Sequence, residues 1–204
     1  MTATGGRFDG MRRAVSRAGL VAAVGAALAG CSALGGSTPL DTYDLTRASA
    51  TSAPRGRTLQ VLVPEPVTDR ALDTDRIVVR RGATEIAYFS GAQWADRLPR
   101  LVQSRLVDAL ECSGRFRAAG RPGQGLAIDR QLVAEIRAFD YLAESGRVEV
   151  VLSVKTMDDR TGRVIATRLF RAEEPVAGDS ARAAVTAFDA ATARLFAEIV
   201  GWAG

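Results

Sequence analysis

The sequence predicts an α+β domain: an antiparallel sheet with two amphipathic helices packed on one face, preceded by a lipoprotein signal peptide and a short tether. Three observations predict it. Residues 130–174 hold three long β-rich runs joined by turn-type connectors. Two stretches, one around Trp94–Leu110 and one around Val185–Trp202, repeat apolar residues at helical spacing. Ahead of both, a basic segment, an apolar run and a cysteine follow one another within the first 31 residues.

Arg7, Arg12, Arg13 and Arg17 make the N-terminal segment basic. Ala18 to Ala29 (AGLVAAVGAALA) is then apolar or Gly throughout, which suits a signal-peptide core and falls short of the ~20 residues needed to span a bilayer. The run ends in Leu28-Ala29-Gly30-Cys31, similar to the bacterial lipobox, in which small residues precede the cysteine that receives the lipid. Cys31 is therefore the expected lipidation site. A diacylglyceryl thioether with an N-acyl chain buries many methylenes at ~0.8 kcal/mol each, and two or three chains anchor durably where one does not. Ser32 follows the cysteine, which favours the outer membrane of a Gram-negative envelope, with the domain facing the periplasm. The expected organisation is signal peptide 1–30, lipidated N-terminus and tether 31–57, and a single α+β domain 58–204. The other cysteine, Cys112, is left with no intramolecular partner and is expected as a buried thiol on a helix.

Composition narrows the function classes. The chain of 204 residues is long enough for one domain with a real core plus a leader. Of its formal charge of +4, the first thirty residues carry +3 (four arginines against Asp9), so the remainder is nearly neutral and nucleic acid is not an expected partner. The absence of histidine excludes Ser-His-Asp and Cys-His catalysis, His-ligated zinc and a histidine pH switch. Lys155 is the only lysine.

In the expected mature chain, "SALGGSTPLD" reads as a tether; ten flexible residues reach roughly 17 Å. "TYDL" (Thr42–Leu45) is a short strand and Thr46–Arg57 a polar loop. "TLQVLVP" (Thr58–Pro64) is β-branched and stopped by "PEP". "DRIVVRR" (Asp75–Arg81) and "TEIAYF" (Thr84–Phe89) form a hairpin around Gly82. Ser90 and Gln93 have capping-box spacing at the head of a helix carrying Trp94, Leu98, Leu101, Val102, Leu106, Ala109 and Leu110, in which Pro99 marks a kink or the true first turn. Ser113–Arg115 ends the helix, and Gly120–Gly125 is a loop. Arg130–Leu142, Gly146–Asp159 and Gly162–Glu174 form an antiparallel meander. In its middle strand Val148, Val150, Leu152 and Val154 share one face, with Glu149, Ser153 and Lys155 on the other. The last helix starts at Asp179/Ser180 and presents Val185, Phe188, Thr192, Leu195, Ile199 and Trp202 to the sheet.

This order of pieces resembles the auxiliary lipoproteins of ABC-type transport systems, the PqiC-like group. The resemblance covers nearly all of the chain after Cys31. It rests on the lipobox, on "TYDL", on the block Leu59–Leu98 with its "DRIVVR" step and Trp94-Ala95-Asp96, on the "GRVEVVLSVKTMDDRTGRVIATRLF" meander, and on the Ala-rich last helix ending at Trp202. It implies a non-catalytic periplasmic subunit of an ABC/MCE-type intermembrane lipid transport system. Its partners would be an MCE-family protein and the ABC permease/ATPase complex, and its membrane attachment the acyl chains on Cys31. Phospholipid contact and a homo-oligomer are compatible with it. The family brings no catalytic residue and no cofactor.

The remaining constellations read as structural. Asp158-Asp159 with Thr161-Gly162 lacks the ligand spacing of a calcium loop and reads as a hairpin turn. Glu65, Glu173 and Glu174 are solvated carboxylates rather than a glycosidase pair, and Gly120–Gly125 lacks the Lys-Ser/Thr of a P-loop. Trp94 and Trp202 belong to the core or rim of their helices. Arg80, Arg81, Arg97, Arg100 and Arg105 make a polar face, with lipid phosphate or an acidic partner as the alternative. Val151 and Ile165 are expected opposite the helices, where apolar residues suit a docking surface. Two rival functions are an outer-membrane assembly lipoprotein, serving lipopolysaccharide or outer-membrane protein biogenesis, and an envelope hydrolase. The hydrolase has a Ser-Lys pair using Lys155 as its remaining chemistry.

Overall fold

A computed structural model describes residues 39–49, 59–125 and 127–204. Cys31 and the leader lie outside the described residues. Leu40 to Gly204 form one compact unit, so part of the 31–57 segment pairs into the sheet.

The sheet grows from the three-stranded meander. β7 (Arg130–Leu142), β8 (Arg147–Asp158) and β9 (Val164–Pro175) pair antiparallel over nearly their whole lengths, as the sequence predicts. Alternation does the sorting: Val148, Val150, Leu152 and Val154 are each 0 % exposed, whereas Lys155 on the other face is open to solvent. Phe170 and Ala172 of β9 lie on the same buried face, because Leu152 pairs with Phe170 and Val150 with Ala172.

The free edge of β7 is covered by short strands from the first half of the chain, all parallel to it. These are β2 (Gln60–Leu62), β3 (Val67–Thr68) and β4 (Arg76–Arg80). The sheet is thus mixed, though mostly antiparallel. β4 pairs antiparallel with β5 (Ile86–Trp94), which makes the expected hairpin. β1 (Asp41–Tyr43) runs parallel to the end of β5, and β6 (Ala118–Gly120) parallel to β2.

Helix α1 (Leu98–Cys112) starts later than the capping-box spacing of Ser90 and Gln93 predicts. Residues 90–94 are strand. Gln93 pairs with Arg76 of β4 on one side and with Thr42 of β1 on the other, and Tyr43 of β1 is paired with Trp94. Two-sided ladder bonding outweighs a local cap, which contributes only ~1 kcal/mol. Gly91 sits at φ +70, a left-handed backbone that an L side chain resists and that breaks a helix. Trp94 therefore reaches the core from a strand and not from a helix. Its N–H donates to the Asp75 carbonyl at 2.6 Å, and the Leu98 N–H to that of Thr74 at 2.9 Å, which steers the chain into α1. Pro99 stands in the first turn, where its missing N–H costs nothing.

Helix α2 (Ala181–Ala203) begins where the sequence places it, with the Ser180 hydroxyl accepting from the Ala183 N–H at 3.2 Å. Val185, Phe188, Thr192, Leu195 and Ile199 are buried as expected, and Trp202 is half-buried at the rim, edge-on to Phe170 at 5.5 Å. At the centre Phe188 stacks on Phe139 of β7 (4.7 Å, 8°), and Trp94 meets both edge-on at 5.6 and 5.8 Å. One apolar cluster joins both helices to the sheet. No helix among the described residues is long and apolar enough to cross a membrane.

Candidate functional site

The arginines singled out by the sequence are held by carboxylates. Arg97 bonds Asp73 and, at 3.2 Å, Glu65; hydrogen bonding to Asp73 is the main reason its pKa lies above the usual value. Arg100 lies 3.5 Å from Glu65, and Arg81 lies 3.7 Å from Glu85. Arg105 departs from the polar-face expectation, because it is only 4 % exposed. Its Nε donates to the Leu45 carbonyl at 2.6 Å and its Nη2 to the Asp44 carboxylate, while Nη1 reaches Asp108 at 3.3 Å. This guanidinium ties the segment after β1 to α1. The planar fork fits carboxylate and carbonyl together, and Arg105 falls in phase with the apolar stripe of α1, four residues after Leu101 and three after Val102, whereas Arg100 lies off the stripe and Arg97 precedes the helix.

Arg80 forms the other buried pair, bonding Asp140 of β7 at 2.9–3.0 Å. Burial pushes the Asp140 carboxyl above its ordinary range; Arg80 opposes that rise and the Glu149 charge adds to it. Because the folded-state pKa is raised, ionised Asp140 costs stability as pH rises through it, and protonation relieves that cost as pH falls. In Arg80→Leu the opposing cation is gone. A loss of about 2–4 kcal/mol is expected near neutral pH, smaller than for a fully buried pair because Arg80 is about one-third exposed. The deficit relative to wild type should shrink as urea titrations are carried to lower pH. A deficit independent of pH would contradict the assignment to Asp140.

The carboxylates considered for chemistry are spoken for. Glu65 holds Arg97 and Arg100, Glu173 holds Arg147 at 3.2 Å and Arg171 at 3.3 Å, and Glu174 holds Arg194. Asp158 accepts from the Thr161 hydroxyl at 2.6 Å and its N–H at 2.8 Å, which lowers its pKa and marks the β8–β9 connection as a capped turn. Among the described residues no three His, Cys, Asp or Glu gather as metal ligands.

Two surfaces remain. The face of the sheet away from the helices carries Leu169 of β9, 54 % exposed; Ile165, 45 % exposed, is the unpaired residue of a register shift between the Ala166–Thr156 and Val164–Met157 pairs, so alternation does not set the outward position expected for it. Val151 shares that face by alternation but is only 9 % exposed, so it contributes less to an outer surface than the sequence suggests. Leu169, missed in the sequence, stands opposite Ser153; its alternation with Phe170 was the available signal.

The second surface is a pocket of about 410 Å³ where the C-terminal half of α1 meets the outer side of α2 under residues 45–49. The Asp189 carboxylate of α2 accepts from the Thr46 N–H at 2.7 Å and its hydroxyl at 2.8 Å, so this segment is tied to α2 as Arg105 ties it to α1. Cys112 lines the pocket half-buried, not buried as expected, its thiol donating to the Ala48 carbonyl at 3.3 Å. It is only half-buried because it is the last residue of α1.

Fold and surfaces together define a small two-layer α+β domain with arginine-paired carboxylates and two apolar surfaces left open. The model of the ABC-type transport auxiliary lipoprotein component family matches residues 43–200, and the chain belongs to that family. A crystal structure of a Xanthomonas campestris protein is similar at a TM-score of 0.70 and 30% identity, covering 79% of this chain and 93% of that one. A second crystal structure, of an uncharacterized protein, is similar at a TM-score of 0.65 and 17% identity, covering 81% of this chain and 99% of that one, and shows the fold. An uncharacterized protein of Bradyrhizobium diazoefficiens is 36% identical over 173 residues, 82% of this chain. The match spans about half the length of that curated relative, 46%.

Proposed function

We propose that the protein is a non-catalytic periplasmic lipoprotein subunit of an ABC/MCE-type intermembrane lipid transport system, anchored to the outer membrane by acyl chains on Cys31. The observation that carries this reading is membership of the transport auxiliary lipoprotein family over residues 43–200. The lipobox sequence at Leu28–Cys31 supports the anchor, and the arginine pairing of Glu65, Glu173 and Glu174 supports a binding role over hydrolysis. An anchor that confines the domain to one membrane raises the effective concentration of its partners, so modest contacts suffice.

The partner contact is assigned to strand β9, around Ile165 and Leu169, because large apolar side chains there are solvent-exposed. Ile165→Asp with Leu169→Asp should cost about 1–2 kcal/mol, since both half-exposed side chains lie in a strand that disfavours Asp, and should leave the domain folded. The same variant should lose an MCE-family protein that the wild type retains in pull-downs from solubilised envelopes. Retention of the partner by the double variant would move the contact elsewhere, and self-association lost in its place would make a second copy the occupant of this face.

A further inference from the structure

We infer that β9 takes up an extended acidic segment of the partner as an added strand, its free edge supplying main-chain hydrogen bonds and the cations around its N-terminal half selecting the charge. The inference rests on the partner reading above and gives that contact its chemistry.

β9 is an edge. It pairs with β8 on one side and with no strand on the other over the twelve residues Val164–Pro175. An open edge presents backbone N–H and C=O groups along its length, and an extended chain satisfies them by adding to the sheet. Edges that are closed to such pairing are short, bulged or charged. Here the register shift at Ile165 is confined to the start of the strand, and from Ala166 to Pro175 the pairing with β8 is unbroken. Val164, Ile165 and Leu169 are 47 %, 45 % and 54 % exposed, half of the exposed large apolar side chains among the described residues. Near the C-terminus of β9, Arg194 of α2 already donates to the Glu173 carbonyl at 2.9 Å, so the open stretch is the one before it.

The charge around that stretch is not balanced. Arg163 and Arg168 flank it, and Arg130, Lys155 and Arg160 lie at the same end of the meander, where Arg130 pairs with Asp158 across β7–β8 and Lys155 with Thr167 across β8–β9. None of these five side chains makes an ion pair among the described residues; Arg168 lies over the Phe170 ring at 4.8 Å. Three carboxylates share this end, and each is engaged. Asp129 accepts from the Gln60 N–H at 2.7 Å, Asp159 from Gln131 at 2.7 Å, and Asp158 from Thr161. Acidic side chains on an added strand complement the excess. A second copy would bring no free acid, because Glu173 and Glu174 of its own β9 are held by Arg147, Arg171 and Arg194.

Placement favours a protein over the anchoring bilayer. β1 enters beside Ala92, and the pairs Gln93–Arg76 and Val78–Asp140 set that point level with the Asp140 end of β7. The cationic end lies at Arg130, ten residues down the same strand. At 3.3 Å per residue the two are roughly 33 Å apart, twice the roughly 17 Å reach of the tether.

The test uses the full lipidated chain in detergent micelles and two octapeptide probes, one alternating aspartate with valine and one alternating lysine with valine. Hydrogen exchange read by mass spectrometry should slow in peptides covering Val164–Arg171 with the acidic probe, and not with the lysine probe. Peptides covering β5 should be unchanged. The effect should weaken severalfold as salt rises from about 0.05 to 0.3 M. Arg163→Glu with Arg168→Glu, both at exposed positions, should weaken binding of the acidic probe about tenfold and admit the lysine probe, a reversal that misfolding does not produce. An equal response to both probes, or no response at β9, would overturn the proposal. So would β9 protection that grows with protein concentration alone, which makes a second copy the occupant. Protection by phosphatidylglycerol added to the micelles, with none by the acidic probe, would make a lipid surface the occupant and overturn it as well. In pull-downs from solubilised envelopes, an MCE-family protein held equally by wild type and the charge-reversed variant would refute the edge contact alone. The expected probe results with no MCE-family protein recovered would uphold the edge contact and refute the transport reading.

Discussion

Replacing Cys31 by alanine is expected to leave the domain folded and to abolish its attachment to the outer membrane. The contributions of the acyl chains add. Each buried methylene contributes ~0.8 kcal/mol, one acyl chain gives only reversible binding, and the two or three chains on a mature lipoprotein cysteine give durable anchoring. No helix among the described residues offers an alternative span. The variant also lacks the nucleophile on which processing at a lipobox depends, so it should keep residues 1–30 and run larger on a denaturing gel. The expected signal peptide is basic and carries twelve apolar or Gly residues, too few for a stable span against the ~20 required, so the retained segment would replace the acyl anchor poorly. Mass spectrometry of the wild-type N-terminal peptide should find an acylated Cys31, and sucrose-gradient fractions should place the wild type, not Cys31→Ala, with outer-membrane markers. An unmodified Cys31, or fractionation unchanged by the substitution, would refute the anchor.

The second large effect is on stability. Phe188→Ala should destabilise the domain by about 3–5 kcal/mol, the range for a fully buried aromatic ring removed from a core. Phe188 is 0 % exposed, stacks on Phe139 at 4.7 Å and receives Trp94 edge-on at 5.6 Å, so its loss opens a cavity at the point where α2 meets the sheet. Domains are stable by only about 5–15 kcal/mol in all, so about a fifth or more of the margin is at stake. The readout is favourable because Trp94 and Trp202 are the only tryptophans, and both flank the α2–sheet contact. In urea the fluorescence midpoint should fall sharply at an unchanged slope. Phe188→Leu, which refills most of the volume, should cost far less. An equal loss for both variants would show that ring stacking, rather than volume, sets the stability there.

How far the sequence predicts this fold depends on whether a segment is governed by local pattern or by distant partners. The β7–β9 meander is legible because period-two alternation along Val148–Val154 and turn chemistry at Asp158–Thr161 act locally and agree. Helix α2 is legible for the same reason, with its cap at Ser180 and its stripe in phase. Residues 90–94 are misread as helix because their conformation is set by strands more than ten residues away on one side and about fifty on the other. The parallel pairing of β2, β3 and β4 along β7 leaves no periodic trace, since each strand is only two to five residues long.

The candidate surfaces divide the same way. Leu169 is readable from its alternation with Phe170, whereas the register shift at Ile165 leaves no trace in the sequence. The pocket was not, because it is assembled from residues 45–49, the end of α1 and the outer side of α2. Thr192 was read as part of the buried stripe, which its 3 % exposure agrees with, but only the three-dimensional arrangement reveals that its hydroxyl is unpartnered. Arg105 lies in phase with the apolar stripe of α1, but the partners that satisfy its guanidinium there, Asp44 and Leu45, are about sixty residues away and leave no local trace.

The most direct test of the central claim is purification of the tagged, lipidated protein from detergent-solubilised envelopes, with co-purifying proteins identified by mass spectrometry. The account predicts recovery of an MCE-family protein together with components of an ABC permease and ATPase, all retained by wild type and lost with Ile165→Asp/Leu169→Asp. Recovery instead of lipopolysaccharide or outer-membrane protein assembly factors would contradict it. Recovery of the lipoprotein alone, under conditions that keep a control envelope complex intact, would contradict it as well.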